Sequence, residues 1–373
     1  MRKENVNKNR FENLLAYDHS RVVLKDTDES DYINANYIHG FIRQKAFIAA
    51  QSPFNRDTVY DFLYMIYTEN ITQVVFLARL HEDGVMKCEK YWPDTGTFQT
   101  DDIIVRFVES ELYASFVVRY FDIMIEGQEI KRVTQYQFTK WPEHGVPDDP
   151  IPFLDFRRKI RTDIESTSTN PILVHCGTGI SRTAVFIGVD SLLDQAKLEH
   201  SVNVFQYCQI MRNSRTNMVR TYKHYKFIYD AVFEALITNY NSVGSNLKVN
   251  YRQLSKVNPI TDKSYFHEQF DVLEKYVPEV PVTELKVAQA DANSSKNRYA
   301  DIVPPEKYRV TLRGSDGGPI RSDYINAVFV DSYLCTDAYI ITQTPLENTV
   351  SDFWKMIYDY KVRYITIYIF TLT

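Results

Sequence analysis

Hydrophobic positions along the first two thirds of the chain alternate between helical and strand spacing. Residues 57–70 carry Val59, Phe62, Leu63 and Ile66 on one helical stripe. The run "ITQVVFLARL" at 71–80 then has the continuous apolar character of a buried strand. Similar alternation continues, with strands predicted at 103–108, 113–125 and 131–138 and helical stripes at 152–164, after Arg182 and at 222–237. Interleaved helices and strands predict an α/β fold, a twisted mixed sheet flanked by helices.

An internal repeat organises the chain. "KNRFENLLAYDHSRVVL" at 8–24 recurs as "KNRYADIVPPEKYRVTL" at 296–312, and "DYINANYI" at 31–38 recurs as "DYINAVFV" at 323–330. Such a long period indicates two tandem copies of one domain. We therefore expect a first domain at 1–240 and an incomplete second domain at 241–373, joined at the polar stretch 239–246.

Composition narrows the class of protein. Of 373 residues, 44% are hydrophobic, which permits a packed core. The net charge of −5 without a basic block argues against nucleic acid as a partner. The four cysteines have no paired spacing, which fits a reducing compartment, and we expect neither a metal site nor a cofactor. No apolar run reaches the ~18 residues of a membrane span.

The stretch "PILVHCGTGISRTAVFIGVD" at 171–190 carries the clearest chemistry. Cys176 follows a predicted strand and precedes a predicted helix. The loop between them points several backbone amides inward, and the helix N-terminus adds its partial positive charge, so together they favour a bound anion. Gly177 and Gly179 permit a tight turn, and Arg182 can hold two oxygens of a phosphate at once. The same positive field lowers a thiol pKa, and a thiolate beside a phosphate is a nucleophile aimed at phosphorus.

The alternative is an inert core cysteine near a surface arginine. A cysteine and an arginine six residues apart occur often by chance. The preceding His175, the two glycines, the following Thr183 and the flanking strand and helix favour the functional interpretation.

Several motifs in order carry a resemblance to a known family. "HCGTGISRT" at 175–183 resembles the signature loop of protein-tyrosine phosphatases, and a tandem arrangement is similar to the intracellular part of receptor-type members. The further matching motifs are "KNRF" (8–11), "DYINANYI" (31–38), "KCEKYWP" (87–93), "WPEHGVP" (141–147) and "RNSRTNMVRTYKHYKFIYDAV" (212–232).

The resemblance implies residue roles. It makes Cys176 the nucleophile that forms a phosphocysteine, Arg182 the phosphate ligand and Thr183 the hydroxyl that helps the thiolate leave. It implies that His175 keeps the cysteine pKa low and that Glu82 orients Arg182. The loop residues expected to hold the phosphate are Gly177, Thr178, Gly179, Ile180 and Ser181.

Four positions depart from the family pattern. Glu143 stands where the mobile loop carries an aspartic acid that protonates the leaving group. Arg220 stands at the glutamine that positions the hydrolytic water, and a guanidinium has no acceptor. Asn13 replaces an aspartate that holds the substrate backbone. Phe11 replaces the tyrosine that makes the pocket deep enough for phosphotyrosine.

These departures leave several functions open. An attenuated phosphatase, a normally active one and a phosphotyrosine-binding domain with little turnover all fit. A dual-specificity phosphatase is a further alternative, because "GISR" occurs in that group, but Phe11 and "KNRF" argue against it. We expect phosphotyrosyl proteins as partners and a cytoplasmic location, with any membrane tether in segments absent from this chain.

Overall fold

The computed structural model describes residues 3–25, 30–164, 169–238, 247–276, 280–313 and 323–367. The strands are β1 (Arg21–Val23), β2 (Tyr32–Ile38), β3 (Phe47–Gln51), β4 (Gln73–Phe76), β5 (His81–Glu82), β6 (Val85–Met86), β7 (Thr97–Thr100), β8 (Ile103–Leu112), β9 (Phe116–Ile125), β10 (Lys131–Phe138), β11 (Ile172–Cys176), β12 (Arg309–Thr311), β13 (Tyr324–Val330) and β14 (Tyr339–Thr342). The α-helices are α1 (Arg56–Thr68), α2 (Ile151–Asp163), α3 (Ser181–Glu199), α4 (Val204–Ser214), α5 (Tyr222–Ile237), α6 (Leu247–Leu254), α7 (Tyr265–Tyr276), α8 (Asp291–Ser294) and α9 (Val350–Asp359). Short 3-10 helices occupy Lys3–Lys8, Val282–Glu284, Glu306–Tyr308 and Glu347–Thr349.

The chain forms two compact units, Met1–Leu273 and Glu274–Thr373. The boundary expected between residues 240 and 241 falls within 239–246, which lie outside the described residues. That boundary stays a prediction.

A nine-stranded sheet, in the order β1-β2-β3-β11-β4-β10-β9-β8-β7, organises the first unit. Strand β11 pairs in parallel with both β3 and β4, and β4 pairs in parallel with β10. The remaining neighbours are antiparallel. The expected α/β fold with a mixed sheet flanked by helices is confirmed.

Helices cover both faces of this sheet because successive strand residues point to opposite sides. Leu173 of β11 packs with Phe62 of α1 in one core, whereas Val174 packs with α2, α3 and α5 residues such as Phe156, Val185 and Ile228 in the other. The stripe predicted at 57–70 forms α1, whose Asn55 cap accepts a hydrogen bond from the Thr58 amide. Strand β11 is thus buried on both faces, as its apolar run indicates.

Two predicted strands are shorter than their apolar runs. The run 71–80 is a strand only at β4, since the chain turns beyond Phe76 toward the short β5–β6 hairpin. The run 113–125 begins its strand at Phe116, because the Tyr113 amide donates to the Phe116 carbonyl and closes a turn. Apolar side chains in these turns pack on the core without continuing the ladder.

The second unit repeats the opening strands of the first. Its sheet has the order β12-β13-β14, and Thr311 pairs with Tyr324 as Val23 pairs with Tyr32. The Tyr324 hydroxyl donates to Asn297 at 2.6 Å, as the Tyr32 hydroxyl donates to Asn9 at 2.7 Å. Its core is small, consisting of Val310, Leu312, Ile325, Ala327 and Met356. No helix in the described ranges has the length and apolar character of a bilayer crossing.

Candidate active site

Cys176 is the last residue of β11, the central parallel strand, and its side chain is buried. Residues 177–180, here called the Cys176 loop, connect it to α3. The parallel neighbours of β11 hold the strand from both sides, and Gln51 of β3 lies directly opposite Cys176. The carboxyl end of such a strand is where α/β proteins place ligands.

The environment of Cys176 favours its thiolate. Burial alone raises the pKa of this thiol, but the Thr183 hydroxyl and amide, the Arg182 charge and the Ile180 amide together outweigh burial and lower that pKa. The Thr183 hydroxyl donates to Cys176 Sγ at 3.3 Å. A deprotonated sulfur at neutral pH is the reactive form of cysteine.

A buried arginine fixes the shape of the Cys176 loop. Arg215, completely buried, donates to the carbonyls of Gly179 at 2.9 Å and Thr178 at 3.1 Å. It also donates to Asn34 and Asn36 on β2, so the loop is tied to the sheet. In a trans peptide the N–H points away from the C=O of the same peptide unit. Because the Thr178 and Gly179 carbonyls point toward Arg215, the amides of the residues that follow them point to the opposite side of the loop.

Gly179 permits this arrangement. Its φ is +67°, and a Cβ on it would lie 2.1 Å from the Ala50 carbonyl oxygen. The N-cap of α3 is Ile180, which offers no side-chain hydrogen bond to the first helical amides. Apart from the Thr183 amide, which interacts with Cys176, these amides at the helix N-terminus therefore remain available to an anion.

Arg182 lies in the first turn of α3 beside the Cys176 loop. Its two Nη atoms donate to the two carboxylate oxygens of Glu82 at 2.6 and 2.8 Å. It also donates to the Leu77 carbonyl at 3.1 Å. The short β5–β6 hairpin supplies Glu82, so the guanidinium is held in one plane from the sheet side.

The segment 141–147, here called the Trp141 loop, contacts the same arginine. Arg182 donates to the Pro142 carbonyl at 3.2 Å, and its guanidinium lies 5.6 Å from the Trp141 ring centre. Trp141 is buried against Phe153 and Phe227, and its ring nitrogen donates to the Gly145 carbonyl. Glu143 is exposed on this loop, and its backbone carbonyl accepts a long hydrogen bond from Arg182 at 3.5 Å.

His175 contacts neither solvent nor a charged partner. Burial lowers the pKa of His175 to about 3, so the ring is neutral at physiological pH. Its Nδ1 lies 2.8 Å from the Ser52 hydroxyl, and its Nε2 lies 3.0 Å from the Tyr91 hydroxyl. Ser52 in turn donates to the Cys176 carbonyl at 2.9 Å. Hydrogen bonds through Ser52 thus connect the neutral His175 ring to the Cys176 carbonyl, while the expected influence of His175 on the Cys176 pKa stays a prediction.

Phe11 is placed near the site by its neighbour Arg10. The Arg10 amide donates to Gln51, the residue opposite Cys176, and its guanidinium donates to the Lys87 carbonyl. Phe11 itself is 46% exposed, as a wall beside an open pocket would be. The Gly177 Cα lies against Lys87 as well, because a Cβ there would touch the Lys87 side chain and carbonyl.

Two of the residues expected at the site make no hydrogen bond to the Cys176 loop among the described residues. Asn13 and Arg220 are exposed, and among the described residues no hydrogen bond connects either side chain to the Cys176 loop. Arg220 follows Val219, whose φ of +58° is rare for a β-branched residue. Their roles stay predictions.

Sequence reasoning missed the buried polar residues that support the site. Arg215, Asn34, Asn36 and Ser52 are nearly or fully inaccessible to solvent. A signal was available in "YINANYI", where asparagines recur within an otherwise apolar strand. Buried polar side chains require hydrogen-bond partners, so such positions indicate a network.

Comparisons with known proteins agree with this geometry. The family model for protein-tyrosine phosphatase matches residues 5–234 and 293–369. The chain is 36% identical over 364 residues to "Receptor-type tyrosine-protein phosphatase U" of Gallus gallus, covering 96% of this chain and 25% of that protein. It is 38% identical over 364 residues to "Receptor-type tyrosine-protein phosphatase S" of Gallus gallus, covering 95% of this chain and 24% of that protein.

The chain thus spans about a quarter of the length of these curated relatives. The two matched ranges of the family model follow the internal repeat, with the second range lacking a counterpart of "HCGTGISRT". On the extent of the family match and the two identities, the chain belongs to the protein-tyrosine phosphatase family.

Proposed function

We propose that the first unit hydrolyses phosphotyrosine in proteins through a phosphocysteine intermediate. The observation that carries the proposal is the buried Cys176 thiol, whose pKa is lowered. Cys176 directly precedes the Cys176 loop, and Arg215 binds two backbone carbonyls of that loop. Amides and Arg182 then face the position that a phosphate would occupy. Phosphotyrosyl proteins, encountered by the intracellular part of a receptor-type molecule, are the proposed substrates.

The reaction has two steps. Cys176 Sγ attacks phosphorus, the P–O bond to the tyrosine oxygen breaks, and Glu143 protonates that oxygen. Water activated by Glu143 then attacks phosphorus, the P–S bond breaks, and the thiolate leaves while accepting the Thr183 hydrogen bond. Arg182 and the loop amides stabilise the charge on the three remaining oxygens in both steps.

Attenuated turnover is part of the proposal, and the departures at Glu143 and Arg220 are its basis. The same departures also support the alternative, a phosphotyrosine-binding domain with little turnover. Release of phosphate from a phosphotyrosyl peptide tests the proposal, and binding of the peptide without any release would favour the alternative.

Selectivity for an aryl phosphate is the first prediction. Phe11 supplies a flat apolar wall, so a phosphotyrosyl peptide is expected to give a kcat/KM at least about 100-fold above that of the matched phosphoseryl peptide. In Phe11→Ala this ratio is expected to fall, whereas Phe205→Ala, an exposed phenylalanine on α4, serves as the control. Comparable rates for both peptides in the parent protein would favour the dual-specificity alternative.

The second prediction concerns the two departures in the reaction. Glu143→Asp withdraws the carboxyl by one methylene and is expected to accelerate formation of the phosphocysteine. Arg220→Gln supplies an amide that both donates and accepts, so we expect faster hydrolysis of that intermediate. Burst and steady-state kinetics separate the steps, and a gain of about tenfold corresponds to ~1.4 kcal/mol of barrier.

The double variant tests whether the two changes act on different steps. If they do, its steady-state turnover is expected to exceed that of both single variants. If all three keep the parent's rate while phosphotyrosyl peptide still binds, the first unit is a capture domain and the proposed attenuation is wrong.

A further inference from the structure

A continuous line of hydrogen-bonded polar side chains runs from the half-buried Arg119 on β9 to the backbone of the nucleophile. The members are Arg119 on β9, Gln135 on β10, Tyr91, His175 on β11 and Ser52, and the line ends at the Cys176 carbonyl. The five successive separations are 2.9, 2.8, 3.0, 2.8 and 2.9 Å. Gln135, Tyr91, His175 and Ser52 are all buried.

The direction of every bond follows from the first member. A guanidinium has donors and no acceptor, so the Gln135 amide must turn its oxygen toward Arg119. The Gln135 NH₂ group then faces Tyr91 and donates to the Tyr91 oxygen. The same Arg119 nitrogen also donates to Gln137 at 2.9 Å, which fixes the guanidinium between two neighbouring amides.

The remaining bonds continue in the same sense. With its oxygen occupied by Gln135, Tyr91 directs its hydroxyl hydrogen to His175 Nε2. The buried ring is neutral and carries one proton, which must therefore be on Nδ1. That proton goes to the Ser52 oxygen, and the Ser52 hydrogen goes to the Cys176 carbonyl.

We propose that Arg119 is a positioning residue for Cys176, acting through this one-directional chain, which selects the Nδ1–H tautomer of His175 and aims the Ser52 hydroxyl at the Cys176 carbonyl. The inference rests on the proposed role of Cys176 as nucleophile. Bonds aligned in one direction polarise one another, and the cation at the start reinforces the alignment. The Ser52 amide donates to the same carbonyl at 3.0 Å, so two donors offset the negative end of the Cys176 carbonyl dipole.

Other charged or titratable groups surround the two ends of the chain. Near Cys176 they are Arg182 on α3 and Arg215 after α4. Cys88 lies beside Ser52, but burial raises the pKa of its thiol to about 12, so it stays a neutral thiol. Near Arg119 they are Asp94 and Tyr91. Burial lowers the pKa of Arg119, yet a guanidinium stays charged throughout the physiological range.

Removing Arg119 frees the Gln135 amide to rotate. Its oxygen can then accept from Tyr91, Tyr91 can accept from Nε2–H, and Nδ1 can accept from Ser52, which reverses the chain. The Cys176 carbonyl loses the Ser52 hydroxyl in that state. A side chain at position 119 that can donate but not accept hydrogen bonds keeps the Gln135 oxygen facing it and so prevents this reversal. Lysine has such a side chain and is expected to preserve the direction of the chain, whereas methionine is expected to allow the reversal.

The experiment reads the His175 tautomer by ¹⁵N–¹H correlation through two bonds in the full-length protein, with His175→Asn identifying the signals. The parent is expected to show a neutral ring protonated on Nδ1 from pH 5 to 8. Arg119→Met is expected to shift the ring toward Nε2–H, and Arg119→Lys to restore the parent spectrum. Arg132→Met, which removes a β10 arginine bonded to Asp122, is the matched control.

The second readout is the pH dependence of iodoacetate alkylation of Cys176. In Arg119→Met we expect the thiol pKa to rise by about half a unit or more, and kcat/KM to fall about three- to tenfold. Arg119→Lys and Arg132→Met are expected to stay within twofold of the parent. Gln135→Met breaks the chain at its second member and is expected to act like Arg119→Met.

Outcomes for the two proposals are separable. A parent ring protonated on Nε2 or on both nitrogens overturns the inference, even if no variant folds. An Arg119→Met protein with the parent's tautomer and thiol pKa also overturns it. If Cys176 in the parent titrates as an ordinary thiol, the proposed function fails, while the His175 tautomer still decides the direction of the chain.

Discussion

Replacing Cys176 by serine is expected to reduce release of phosphate from a phosphotyrosyl peptide by on the order of 10⁴-fold or more. Serine keeps nearly the size of the side chain, but an alcohol ionises far less readily than a thiol, so the surroundings that lower the pKa of Cys176 leave a serine hydroxyl a poor nucleophile. The Arg182 guanidinium and the loop amides remain, so the peptide is expected to bind with a Kd close to that of the parent. Stopped assays of phosphate release and a binding titration measure the two quantities.

Cys208→Ser is the matched control for this change. Cys208 is also buried in the first unit, but it lies on α4 and burial raises the pKa of its thiol to about 11. We expect Cys208→Ser to retain turnover within a few fold. Turnover of Cys176→Ser within tenfold of the parent would show that another group carries the reaction.

Gly179→Ala is expected to have the largest effect among small substitutions on the Cys176 loop. A Cβ at this position would lie 2.1 Å from the Ala50 carbonyl oxygen and 2.7 Å from the Gln51 amide nitrogen, and both are backbone atoms of β3. Neither can rotate away, so the loop must leave the sheet and Arg215 must lose the carbonyls of Thr178 and Gly179. We expect the free energy of unfolding to fall by about 3 kcal/mol or more, with turnover reduced at least about 100-fold.

Alanine substitutions at two other glycines separate the cost of backbone strain from the cost of the steric clash at Gly179. Gly96 has nearly the same φ, +68°, with nothing within 4 Å of an added Cβ, so Gly96→Ala measures backbone strain alone. Gly177 has no positive φ, and an added Cβ would meet Lys87 at an ordinary 3.8 Å. Urea unfolding of the three variants is expected to show a loss of about 1 kcal/mol for Gly96→Ala and a smaller one for Gly177→Ala. Equal losses for Gly96→Ala and Gly179→Ala would contradict the steric argument.

The positions of Cys176, Gly179 and Arg182 follow from the sequence because their constraints are local. A strand that ends at a cysteine, a helix that begins five residues later and glycines between them leave few backbone paths. Helices α1, α2, α3 and α5 are predicted for the same reason, since their apolar stripes have one spacing throughout. The internal repeat similarly predicts the β12–β14 sheet from its likeness to β1–β3.

Arg215 and Ser52 illustrate what a local pattern does not contain. Arg215 bonds to Asn34 and Asn36, about 180 positions away in the chain, and its importance depends on a packing that no neighbouring residue reveals. Ser52 gains its role only because β3 and β11 are parallel neighbours, which makes its hydroxyl meet both His175 and the Cys176 carbonyl. Pairings between distant strands depend on the whole sheet, so the sequence predicts that buried asparagines need partners without naming them.

The repeat also has a consequence for association between molecules. In the first unit β3 is paired on both sides, by β2 and β11. Its counterpart β14 pairs only with β13 in the described part of the second unit, and its Tyr339 and Ile341 side chains are 60% and 58% exposed. A strand with an open edge and apolar side chains is a template for pairing with another polypeptide. We therefore expect the exposed edge of β14 to be one place where a second polypeptide can add a strand, at a distance in the sequence from the thiol chemistry of the first unit.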